Sequence, residues 1–178
     1  MGRAHPRRLG PRQEACYRLY VGRPTVGALG WSMTMRVRDL MQKDVLTLSV
    51  DATLDIADGL MRVDRVRHIP ILSGTSVVGL VSERDLLRAA VSSLMNTKPS
   101  EDQAWLEGIS VAEVMTREVL TAHPDADVST AAEMMLGERI GCLPVVEDGE
   151  LVGLLSETDC LRHFSRVMRD VDERIVER

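Results

Sequence analysis

The chain has 178 residues, 44% of them hydrophobic and 28% charged, with a net charge of −5 at pH 7. That balance suits a chain that buries a core, and no apolar run approaches the roughly 18 residues that a membrane span requires. A net charge of this sign and only 3% aromatic residues argue against a nucleic-acid binder, whose affinity rests on phosphate-neutralising cations and stacking rings.

Residues 1–35 hold six Arg and one Glu, leaving 16 Lys+Arg against 26 Asp+Glu in the remainder. A secretory signal needs an apolar stretch of roughly 7–15 residues after its charges, and this Gly/Pro/Arg-rich leader has none. It reads as a basic, disordered extension, and Met33 or Met35 would make a sensible start. Organised sequence follows. Val37, Leu40 and Met41 form a short segment of apolar spacing, VLTL at 45–48 reads as a strand, and Ser49 and Asp51 mark a turn. Thr53 is placed to cap a helix over LDIADGLMRV, with Leu54, Ala57, Leu60 and Met61 on one face. HIPIL and VVGLV then flank Ser73-Gly74-Thr75-Ser76, a hairpin signal with a loop longer than the tightest kind, and Ser82 opens a second helix.

The chain then repeats itself. Sliding Val37–Ala89 onto Val111–His163 at an offset of 74 gives 19 identities in 53 ungapped positions. VLTA at 119–122, Asp127 ahead of VSTAAEMML, CLPVV and LVGLL around Glu147–Glu150, and Ser156 all recur in step, and Gly137 is placed to end the second copy's first helix. The sequence therefore predicts an α/β fold of two tandem strand-helix-strand-strand-helix units that pack together, since one unit of about 55 residues buries little core alone. The boundaries read as 1–35 extension, 36–92 first unit, 93–109 linker anchored by Trp105, 110–165 second unit and 166–178 helical extension. In the tail, Phe164, Val167, Met168, Val171 and Ile175 recur at helical spacing, which predicts a helix covering apolar surface of its own domain or of a partner subunit.

Candidate chemistry lies where strand meets second helix. Ser82-Glu-Arg-Asp85 and Ser156-Glu-Thr-Asp159 fit a capping arrangement. A cap alone does not require Gly79 and Gly153 inside the preceding strand, where glycine marks a bulge or a close approach by a ligand or another backbone. A helix N-terminus favours an anion, and an Asp one turn in can accept hydrogen bonds from the vicinal hydroxyls of a ribose. Catalytic signals are missing: His5, His68, His123 and His163 show no metal-ligand spacing, and there is no GxSxG elbow or P-loop. Most of the Met residues fall on predicted apolar helix faces, where they read as core packing. Cys16, Cys142 and Cys160, an odd number without CxxC, read as reduced thiols in a cytoplasmic protein.

These residues resemble the CBS-domain family in its tandem form, often called a Bateman module. Its signature G-h-x-[ST]-x-x-[DN] is matched by Gly79–Asp85 and by Gly153–Asp159, its h-P-[VI] strand by Ile69-Pro70-Ile71 and Leu143-Pro144-Val145, and its M-x-x-x-h-h-T by Met41–Thr47 and Met115–Thr121. The resemblance covers about residues 36–165. It implies pseudo-two-fold packing and clefts, where the repeats meet, for AMP, ADP, ATP, S-adenosylmethionine or NAD. By that likeness Asp85 and Asp159 would hold ribose hydroxyls, and Ser82 and Ser156 would face phosphate. Thr47 and Thr121 would flank the adenine, walled by Val45, Val119, Ile69 and Leu143.

The copies diverge at Arg67-His68 against Gly141-Cys142 and at Arg84 against Thr158. The Ser82/Asp85 site is thus expected to bind a phosphorylated adenine nucleotide more tightly, and the Ser156/Thr158/Asp159 site a less charged adenosyl ligand or none. The resemblance implies a stand-alone, non-enzymatic sensor, homodimeric and acting on a regulated protein that the sequence does not identify. The alternative is a dimerisation or scaffold module that binds nothing.

Overall fold

The computed structural model describes residues 35–94, 106 and 108–176. Expectations for the leader up to residue 34, for Trp105 and most of the linker, and for the side chains of Val171 and Ile175 fall outside the described residues. The elements run α1 (Val37–Leu40), β1 (Leu48–Ser49), α2 (Leu54–Asp64), β2 (His68–Ser73), β3 (Ser76–Ser82) and α3 (Glu83–Leu94). They recur as α4 (Val111–Val114), α5 (Val128–Glu138), β4 (Cys142–Glu147), β5 (Glu150–Ser156) and α6 (Glu157–Val176). Both copies are therefore mixed α/β.

The helices form where apolar spacing predicts. Leu54, Ala57 and Met61 are the buried face of α2, and Ala131, Met134 and Met135 that of α5. Their ends differ from expectation. Gly137 lies inside α5, and Arg139 takes the left-handed cap position at φ 56, as its counterpart Arg65 does at φ 54. Thr53 and Asp127 hold the N-cap positions without capping through their side chains: the Thr53 hydroxyl turns to Asp55, and Asp127 receives Arg36 Nη1 at 2.9 Å.

Two strand expectations are also corrected. The hairpin loops are two residues long, Gly74-Thr75 and Asp148-Gly149. Gly74 has φ 65, and Asp148 and Gly149 have φ 52 and 88, the positive values that the tight primed turns require. The opening strands are shorter than 45–48 and 119–122: β1 pairs in parallel with β2 only as Leu48 with Ile71 and Ser49 with Leu72, and Ala122 alone bridges Val145. Proline is the reason. Ala122 donates to the Pro144 carbonyl at 3.0 Å and accepts from Val146 N–H at 2.9 Å. The next bond along that edge would come from an N–H on residue 144, which proline lacks; Pro70 stands at the matched place in β2.

The compact units are discontinuous in sequence. One, here the Asp85 unit, comprises Asp44–Val119 and Gly149–Leu151; the other, the Asp159 unit, comprises Met1–Lys43, Leu120–Asp148 and Val152–Arg178. The core of the Asp85 unit joins Leu54, Ala57, Met61, Ile69, Ile71, Val81 and Leu86 with Val111 and Met115. The core of the Asp159 unit joins Ala131, Met135, Leu143, Val145 and Leu155 with Val37, with Leu40 and Met41 packed against it. Each repeat's opening segment therefore completes the core built from the other repeat. Val37 and Val111 are both fully buried, a burial that contributes about 1.5–3 kcal/mol each. Backbone bonds fasten them the same way. In the Asp159 unit Val37 N–H donates to Ala126 O and Val128 N–H to Met35 O; in the Asp85 unit Val111 N–H donates to Ala52 O and Leu54 N–H to Ile109 O, all at 2.9–3.0 Å.

In the tail, α6 continues to Val176, but Phe164, Val167 and Met168 are 62%, 43% and 43% exposed. The expected packing of these side chains on their own domain is therefore not formed. Among the described residues, no helix is long and apolar enough to cross a membrane.

Candidate functional site: two strand-to-helix turns

The Ser and Asp of each motif sit where strand gives way to helix, at the N-cap and the third helical residue. Asp85 Oδ2 accepts from Ser82 N–H at 2.9 Å and from its hydroxyl at 2.6 Å. Asp159 Oδ2 accepts from Ser156 N–H at 3.0 Å and its hydroxyl at 2.5 Å, and Asp159 N–H returns a bond to Ser156 Oγ at 3.3 Å. The reciprocal capping arrangement is thus complete at Ser156–Asp159, while at Ser82–Asp85 the bonds from serine to the carboxylate are formed.

This changes what the turns offer a ligand. Glu83 N–H donates to Arg67 O and Glu157 N–H to Gly141 O, both at 3.0 Å. With the Ser amides also committed, two N–H groups expected to meet an anion are in use at each turn. Glu83 and Asp85, like Glu157 and Asp159, already place carboxylates in the first turn, where they complement the helix dipole themselves. The serine hydroxyls donate to Asp Oδ2. What remains is acceptor capacity on Asp Oδ1, which suits a neutral donor such as a ribose hydroxyl.

The two Oδ1 atoms differ. Asp85 Oδ1 lies 3.6 Å from Arg88 Nη1, and the side chain is 15% exposed. Asp159 Oδ1 lies 3.5 Å from Arg162 Nη1 and also accepts from Gln42 Nε2 at 3.0 Å, and the residue is only 5% exposed. Sequence reasoning missed both contacts. The Asp–Arg pairs had a signal, an i,i+3 spacing repeated in each copy; Gln42, 117 residues from Asp159, had none.

The glycines have a packing explanation. A Cβ on Gly79 would stand 2.3 Å from Met115 Sδ, and one on Gly153 would stand 2.6 Å from Met41 Sδ and 2.9 Å from the Gln42 carbonyl oxygen. They admit the protein's own opening segments, which pair alongside as Leu80 with Thr116 and Leu154 with Gln42. Neither glycine points to a ligand.

Val45, Thr47, Arg67, His68, Ile69, Ser82, Arg84, Asp85 and Val119 all belong to the Asp85 unit, and Thr121, Leu143, Ser156, Thr158 and Asp159 to the Asp159 unit. Ile69 and Leu143 are 0% exposed members of the two cores, so in this conformation their side chains present no wall to a ligand. Val119 is buried, and Val45, Thr47, Thr121, Thr158 and His68 are half-buried. The exposed Arg84 stands at the second helical residue, beside the Ser82–Asp85 pair. Arg67 lines a cavity of about 350 Å³ with Arg62, Arg65, Met61, Leu86 and Leu106, a lining that includes neither Ser82 nor Asp85.

His123, Asp125 and Glu147 bring ligand-type atoms within 4.8 Å of one another. A cation already serves them: Arg38 Nη2 lies 2.5 Å from Asp125 and 3.7 Å from Glu147, and His123 Nδ1 accepts from Asp125 N–H at 3.1 Å. Burial, aided by the Glu157 carboxylate, pushes the Cys142 thiol up to about 12, and burial followed by Asp159 raises Cys160. Both are held as thiols at neutral pH, the less nucleophilic form.

Comparison with known proteins agrees with the duplicated fold. A family model described as CBS domain matches residues 37–92 and 111–166. The homoserine O-acetyltransferase of Methanohalophilus mahii is 36% identical over 124 residues, 68% of this chain but 23% of that enzyme, so the chain spans about a quarter of this relative. Among solved structures, a Vibrio cholerae protein assigned to acetoin utilization, AcuB, is similar at TM-score 0.67 and 31% identity, over 79% of this chain and 98% of its own. The CBS domain pair of protein MJ0100, solved with 5′-methylthioadenosine and S-adenosyl-L-methionine, has TM-score 0.63 and 25% identity, covering 74% and 97%. CBSX2, solved with AMP, has TM-score 0.62 and 26% identity, covering 75% and 98%.

Proposed function

The chain belongs to the CBS-domain family, and we propose that it is a regulatory module that binds an adenosyl ligand through its ribose at the Ser82–Asp85 turn. The observation that carries this reading is Asp85 itself. Its Oδ2 is pinned by Ser82 and its 15%-exposed side chain keeps Oδ1 in the range of a hydroxyl donor. Two family structures hold such ligands, AMP in one and 5′-methylthioadenosine with S-adenosyl-L-methionine in the other, which supports the ligand class. The adenosine, rather than the phosphate, is the part this turn is built to recognise; Arg84, where the second copy has Thr158, adds a cation for AMP, ADP or ATP.

Bound ligand acts as a signal only if it favours one arrangement of the protein over another. We take the readout to be a regulated protein, reached from a homodimer as the family resemblance implies. The acetyltransferase relative shares only this region, so its chemistry is not carried over. A second reading, a module that binds nothing, is favoured by one observation, the fully engaged Asp159.

Isothermal titration with AMP and S-adenosylmethionine tests the proposal. At 100 Kd a ligand adds about 2.7 kcal/mol of stability, a rise in Tm of about 5–10 °C for a chain of this size, and Asp85→Ala should abolish it. A chain that binds neither compound is the scaffold of the second reading.

A further inference from the structure

Resting on the adenosyl reading above, we propose that Gln42 decides which of the two turns accepts a ribose, by holding Asp159 closed with its own carboxamide. A carboxylate offers about four acceptor positions. On Asp159, Oδ2 takes two donors from Ser156, and Oδ1 takes Gln42 Nε2 at 3.0 Å with Arg162 Nη1 at 3.5 Å. The amide orientation follows from chemistry, since an ionised carboxylate only accepts. Gln42 Nε2 thus occupies a position that a ribose hydroxyl would need.

The two copies differ here in side chain and not in backbone. Gln42 N–H donates to Leu154 O, and Leu154 N–H to Gln42 O, both at 2.9 Å. At the matched place Thr116 N–H donates to Leu80 O at 2.9 Å and Leu80 N–H to Thr116 O at 3.0 Å. The same edge pairing therefore presents residue 42 to Asp159 and residue 116 to Asp85. A threonine side chain ends two bonds before the glutamine amide, and it leaves Asp85 the more exposed carboxylate, 15% against 6% for the side chains. Gln42 mimics bound ligand at one turn and is lacking at the other. A ligand entering the Asp159 turn must displace it, whereas one entering the Asp85 turn meets no such competitor.

The test is an exchange of the two residues in the full chain, read by titration with AMP and with 5′-methylthioadenosine. Asp85→Ala first silences the preferred turn. Adding Gln42→Thr, or Gln42→Ala as a second variant in case the first misfolds, should then create a site with at least tenfold higher affinity than Asp85→Ala alone. Thr116→Gln in the unaltered chain should weaken the Asp85 turn at least tenfold. A purely structural Gln42 would lower the melting temperature when replaced, but would not raise affinity. Equal affinities for Asp85→Ala with and without the Gln42 change overturn the inference while leaving the adenosyl reading standing. An unaltered chain that binds neither probe overturns both.

Discussion

The substitutions Gly79→Ala and Gly153→Ala measure how tightly each opening segment is seated. Neither glycine has a positive φ, so alanine meets no backbone strain and would gain about 0.4–1 kcal/mol through the unfolded state. Space works against it. At Gly79 the nearest atoms to the new methyl all belong to Met115, at 2.3 Å for Sδ and 2.8 Å for Cγ, and a methionine adapts by rotation. Yet Met115 is 7% exposed, so it has to turn into packed neighbours. Overpacking costs about 1–3 kcal/mol; we expect the middle of that range here, about 1.5–2 kcal/mol, which leaves a net loss of about 1 kcal/mol once the unfolded-state gain is subtracted. At Gly153 the methyl also meets the Gln42 carbonyl oxygen at 2.9 Å, which is held by Leu154 N–H at 2.9 Å. Backbone cannot rotate away, and we expect a net loss of about 2 kcal/mol. Calorimetry should show Tm falling by about 2–4 °C for Gly79→Ala and about 4–8 °C for Gly153→Ala. A double-mutant cycle sharpens the test. Met115→Ala should relieve most of the Gly79→Ala clash, giving a coupling of about 1 kcal/mol, while Met41→Ala should recover a smaller share of the Gly153→Ala cost because the carbonyl stays. A Gly79→Ala protein as stable as the parent, with no coupling to Met115, would refute the packing explanation and return the glycine to a ligand's account.

Val37→Ala should cost about 2 kcal/mol and should speed hydrogen exchange in α5, residues 128–138, rather than in α2; Val111→Ala should do the reverse. Ser156→Ala should destabilise by about 1–2 kcal/mol in urea titration, since it removes a cap and leaves a buried carboxylate oxygen short of a donor. The Cys142 thiol, raised from 9.0 to about 12, is stabilised as the neutral form in the folded state. Its contribution is complete below pH 9 and lost as pH rises towards 12, so the stability advantage of the parent over Cys142→Ala should shrink across that window, and iodoacetamide should label Cys142 slowly at pH 8.

Much of the fold was legible because its signals are local. Apolar spacing at Leu54, Ala57 and Met61 names the buried face of a helix without reference to anything distant, and the ungapped repeat doubles each such signal. The Ser-x-x-Asp turns were legible for the same reason, since a capping arrangement spans four residues. Strand length was not. It depended on which edge of β2 and β4 the proline nitrogen faces, and that is a matter of pairing.

From sequence alone came the duplication, the α/β class, the helix faces and the two Ser/Asp turns, all set by spacing within a few residues. Tertiary structure alone decided that Val37 completes the core around Leu143 and Val111 the core around Ile69. The repeats present nearly the same apolar set, so periodicity fits either docking equally. Only the three-dimensional path of the chain brings Gln42 to Asp159 and leaves Thr116 at the matched place, giving two similar motifs different surroundings.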